Sequence, residues 1–126
     1  MDEDSLYAVL KQQTEKLKDP QNAVFNIHVP PYGSRLDDAP KLDGQLRPVD
    51  GGQNIVPVGS TAVKKIIEQY QPLLGLHGHI HEAKGAIKIG RTLCINPGSS
   101  YGEGVLTGVL VTLTKKSVKD YQPVQG

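Results

Sequence analysis

The chain has 126 residues, room for one core and no more, since a single domain usually takes ~100–200 residues. With 37% hydrophobic residues, 14 glycines and 9 prolines, it has the composition of a folded chain rich in loops, which excludes wholesale disorder and low complexity. Fourteen basic against thirteen acidic side chains leave a formal charge of +1, so no nucleic-acid or membrane surface is expected and any phosphate must be held locally.

The first element is an amphipathic helix with Leu6, Val9, Leu10 and Leu17 on one face, Asp4 as N-cap and Asp19-Pro20 as its stop. Ala23–Val29 reads as a short strand cut off by Pro30-Pro31, which supplies no backbone donors, so His28 sits at a strand end. Residues 32–58 show no sustained period and read as one long loop. Ser60 then caps a second helix whose Val63, Ile66, Ile67 and Tyr70 fall at helical spacing, and Pro72 ends it.

Leu73–Leu76 follows as a buried strand, which makes strand, helix and strand one parallel crossover unit. The pattern then turns antiparallel. Ala86–Ile89 and Thr92–Asn96 flank the two-residue turn Gly90-Arg91, and Val105–Thr114 and Ser117–Tyr121 are joined through Lys115-Lys116. The fold class is α/β, with mixed parallel and antiparallel strands and two main helices.

Three of the four histidines lie in Leu76-His77-Gly78-His79-Ile80-His81-Glu82, directly after a strand of the crossover, where open α/β sheets bind ligands. In an extended segment, residues two apart point the same way, so His79 and His81 would offer two imidazoles to one site; imidazole suits Zn, Mn, Fe, Co or Ni. His77 still belongs to the strand and is the weakest of the three. His28 ends the neighbouring strand, within reach of the same place. Asp37, Asp38 and Glu82 are nearby oxygen donors for which surface charge is the default reading. Cys94, between Leu93 and Ile95, reads as a buried, inert thiol. A lone cysteine, a start without a basic region before an apolar run, and no stretch near the ~18 apolar residues of a membrane span together predict a reduced, cytoplasmic protein with no membrane partner.

Asn26-Ile27-His28-Val29-Pro30-Pro31-Tyr32-Gly33, Gly78-His79-Ile80-His81-Glu82 and Ile95-Asn96-Pro97-Gly98-Ser99 resemble, in order and spacing, the C-terminal half of the calcineurin-like metallophosphoesterases, in particular the small prokaryotic predicted phosphoesterases. The similarity runs from Ala23 to Gly108. It implies half of a two-sheet α/β/β/α sandwich and two divalent ions (Mn, Fe, Zn or Ni) that activate a hydroxide for attack on a phosphate ester. His28 and His79 resemble ligands of the second ion and His81 a ligand of the first. Asn96 to Ser99 would shape the fold more than do chemistry, and residues 32–58 would lie by the mouth of the site, with Tyr32, Arg35 and Arg47 as substrate contacts.

The family's Asp-x-His, Gly-Asp-x-x-Asp and Gly-Asn-His motifs do not occur here, which removes the bridging carboxylate and the general acid. The chain, residues 1–126, therefore reads as one partial domain, inactive alone, that forms a homodimer or pairs with a chain carrying the N-terminal half. The rival expectation is a non-catalytic metal-binding or regulatory module that keeps half of the fold.

Overall fold

The computed structural model describes residues 2–126. Helix α1 (Glu3–Thr14) opens the chain, capped by Asp2, whose carboxylate accepts from the Ser5 amide at 2.7 Å. The cap is therefore two residues earlier than Asp4, which instead joins Glu3 in the first turn, where acidic side chains favour the helix dipole. The helix ends at Thr14, so Leu17 lies beyond it. Helix α2 (Thr61–Tyr70) begins as its sequence dictates, with Ser60 Oγ accepting from the Val63 amide at 3.1 Å. Its stripe Ala62, Val63, Ile66 and Ile67 is fully buried, and each Val or Ile contributes about 1.5–3 kcal/mol by leaving water.

The main sheet has the order β1 (Val24–Asn26), β4 (Leu74–Leu76), β6 (Thr92–Asn96) and β5 (Gly85–Ile89). Strands β1, β4 and β6 run parallel, and β5 closes against β6 as the antiparallel hairpin expected at Gly90-Arg91. The sequence pattern did not foresee that β6 enters the sheet between β4 and β5. That placement explains why every residue of β6 is buried: Cys94 faces one layer, while Leu93 and Ile95 face the other. On the first face, Leu36, Val63, Ile67 and Cys94 pack with Leu6 and Leu10 of α1. On the second, Leu74, Leu93 and Ile95 pack with Val109, Val111 and Val118. These last belong to a separate antiparallel pair, β7 (Thr107–Leu113) and β8 (Val118–Gln125); β7 starts two residues later and ends one earlier than expected, and β8 starts one later and runs four further.

Residues 32–58 are not one open loop. They contain an antiparallel pair, β2 (Asp38–Pro40) with β3 (Ile55–Pro57), whose short strands lack the alternation that would reveal them. Asp37, expected at the surface, is completely buried: its Oδ2 accepts from the amides of Gly33 at 2.8 Å and Gly59 at 2.9 Å, while Oδ1 has no hydrogen-bond partner. A Cβ on Gly59 would sit 2.5 Å from the Pro30 carbonyl and 2.8 Å from Asp37, so only glycine allows this close approach. The chain after His28 is thereby fastened to the entry of α2. Among the described residues no helix is long and apolar enough to cross a membrane.

Candidate histidine site

Three parallel strands deliver the site. His28 follows β1, and its carbonyl accepts from the Gly78 amide at 2.8 Å, which prolongs the β1–β4 pairing past the regular strands. His77 to His81 follow β4, and Asn96 ends β6. His28, His79 and His81 are exposed and line one cavity of about 160 Å³, with Asn96, Gly98 and Ser99 completing its wall. The His28 and His79 rings meet edge to face, their centroids 5.4 Å apart. Gly78 permits this, because a Cβ there would lie 3.2 Å from the His28 ring.

The segment carrying His79 and His81 is not extended, so the two do not converge through strand alternation. His79 has φ +66°, and the Ile80 amide donates to the Gly78 carbonyl at 2.7 Å, a tight γ-turn centred on the histidine. Such positive-φ turns are rare and strained for a side-chain-bearing residue, and they persist only where their surroundings hold them. Asn96 holds this one. Its fully buried amide donates to the carbonyls of Ile80 at 2.9 Å and Leu36 at 3.1 Å, and its Oδ1 accepts from the Gly98 amide at 2.9 Å. The Ser99 amide donates to the His81 carbonyl at 3.1 Å, tying the same two loops again. Asn96 is the residue whose weight the sequence understated, although Asn-Pro-Gly after an apolar strand is a turn signal of the right kind.

The ring of His81 turns toward Tyr101, with centroids 5.6 Å apart, and also borders a neighbouring cavity of about 480 Å³ with Glu82, Ser99 and Ser100. His77 plays no part at the surface. It is buried, its Nδ1 lies 2.9 Å from the Ile27 carbonyl, and its Nε2 has no partner. Burial pushes its pKa down, against the raising effect of the Ile27 and Val29 carbonyls, which disfavours the charged ring. Burial likewise pushes the Cys94 thiol up to about 12, which removes it as a nucleophile. Tyr32, Arg35 and Arg47 are exposed and lie outside the lining of the histidine cavity.

Among the described residues no group of three His, Cys, Asp or Glu side chains is arranged to hold a metal ion. The donors brought together are imidazoles, with no carboxylate among those lining the cavity. By themselves these imidazoles lack the bridging anionic ligand that a dinuclear centre needs.

No family model matches the chain. An uncharacterized protein of Methanocaldococcus jannaschii is 32% identical over 97 residues, which make up 75% of this chain and 38% of that protein. A solved crystal structure aligns with a TM-score of 0.55 at 27% identity, over 82% of this chain and 34% of the other. The mixed α/β arrangement thus recurs in a solved protein. The chain spans well under half the length of each of these relatives.

Proposed function

We propose that this chain is the C-terminal half of a metal-dependent phosphoesterase, a hydrolase of phosphomonoesters or phosphodiesters whose two-metal site is completed by residues from outside the chain. The observation that carries the reading is the gathering of His28, His79 and His81 around one cavity at the carboxyl ends of parallel strands. The layering supports it too: helices cover one face of the main sheet and the β7–β8 pair covers the other, as in three layers of an α/β/β/α sandwich.

When bound, divalent ions would lower the pKa of an attacking water and neutralise charge on the phosphate. The chain's own contribution is positional: Asn96 fixes the turn of His79, and Gly78 lets the His28 ring approach it. The remaining ligands have an open approach. Strand β1 pairs only with β4, leaving its other edge free among the described residues, and an apolar groove of about 310 Å³ lined by Leu10, Leu17, Phe25 and Ile27 runs beside it. A strand added there, about 4.8 Å from β1, would end beside His28.

The second reading, a non-catalytic interaction module, is favoured by the carboxylate-free donor set. Mn-dependent hydrolysis of bis-p-nitrophenyl phosphate separates the two. The chain alone is expected to show none, and the full-length archaeal relative is expected to turn the ester over. Robust turnover by the chain alone would refute the incomplete site, and an inert full-length relative would leave the interaction module.

A further inference from the structure

At the end of the main sheet opposite the histidines lies a cavity of about 390 Å³, between the start of β4 and β6 and the overhanging β7–β8 pair. Its walls carry Lys88, Arg91, Lys116 and Lys119 against a single carboxylate, Asp120. In a chain of formal charge +1 this is a local concentration of cations. They are unpaired, because the lone ion pair among the described residues joins Lys11 and Glu15 at 3.9 Å. Arg91 fixes the shape of the wall: its guanidinium donates to the carbonyls of Gln21 at 2.8 Å, Gln71 at 2.9 Å and Lys116 at 3.3 Å, binding three separate segments together while keeping its charge. The floor is apolar, from Leu73 and Leu93, and Tyr121 adds an aromatic ring.

We infer that this cavity binds a small organic phosphate, with the lysine ammonium groups on the phosphate and the leucine and tyrosine surfaces against its apolar or aromatic body. The volume falls within the ~300–1,000 Å³ of small-molecule sites, and the near-neutral chain lacks the extended field that a nucleic-acid polymer needs. The cavity shares no lining residue with the histidine site, so it stands or falls independently of the phosphoesterase reading.

The test is calorimetric titration of the 126-residue protein with AMP, adenosine and inorganic phosphate, with amide NMR to locate the site. AMP is expected to bind one to one, more tightly than either of its parts, and to shift Lys88, Lys119 and Tyr121. The double substitution Lys88→Glu with Lys119→Glu, both at exposed positions, is expected to weaken AMP about tenfold or more, and His79→Ala is expected to leave it unchanged. Absence of AMP binding at about millimolar concentration, full binding by the double variant, or shifts confined to the histidine cavity would each overturn the assignment.

Discussion

Replacing Asn96 by alanine removes the one side chain that spans the histidine turn, residues 32–58 and the loop after β6. Two buried hydrogen bonds disappear, donated to the Ile80 and Leu36 carbonyls, with a part-buried one accepted from the Gly98 amide and a long one of 3.5 Å to the Gly78 carbonyl. At about 1 kcal/mol net for each bond, the loss is about 3 kcal/mol, a large share of the ~5–15 kcal/mol that holds a typical domain together. Relaxation of the His79 turn offsets part of this, since a residue held at positive φ stores about 1–3 kcal/mol. Urea unfolding of the two proteins, followed by circular dichroism, gives the difference directly, and the His79 ring resonances report whether the turn survives. A stability loss of about 1–3 kcal/mol with displaced His79 signals is expected. An unchanged midpoint, with His79 signals in place, would refute the assignment of Asn96 as the clamp.

Glu3 tests how α1 is joined to α2. Its carboxylate accepts from the Ser60 hydroxyl at 2.6 Å and the Ala62 amide at 3.1 Å, and these bonds, the Ser60 bond foremost, hold its pKa below the ordinary 4.5. A lowered acid pKa means stability that is present above pH 4.5 and lost as the pH falls through the folded value. Because Glu3 is exposed and screened, the effect is below about 1 kcal/mol, and a melting-temperature profile should show Glu3→Gln flattening that acid limb. Gly59→Ala should destabilise by more than about 2 kcal/mol in the same urea assay, because its Cβ meets the Pro30 backbone at 2.5 Å, which cannot rotate away. Cys94, buried with its pKa pushed up to about 12, should react with a thiol reagent only at the rate of unfolding; rapid labelling of the native protein would contradict its burial.

The elements most legible in the sequence were those specified by local chemistry. Ser60 and the spacing of Val63, Ile66 and Ile67 define α2 without tertiary help, and Gly90-Arg91 between two apolar runs defines the β5–β6 hairpin. What stayed hidden depends on partners distant in the chain. The parallel contact of β6 with β4 is a pairing choice that no local period encodes. Asp37 is buried because Gly33 and Gly59, on opposite sides of a 25-residue excursion in the chain, both donate to it. The candidate site was legible as residue types at strand ends, where His28, His79 and His81 line one cavity. Its geometry was not, because the turn at His79 is stabilised by Asn96, sixteen residues beyond the Ile80 carbonyl it binds.

Whether His28, His79 and His81, which line one cavity, act as one donor set is tested most directly by a Zn²⁺ titration of the 126-residue protein followed by histidine ring NMR. One ion per chain should bind weakly, shift the His28 and His79 rings together with a smaller change at His81, leave buried His77 unmoved, and fail to bind the His28→Ala and His79→Ala variants. Binding that survives either substitution, or rings that respond at separate zinc concentrations, would show that the histidines share a surface without forming a site.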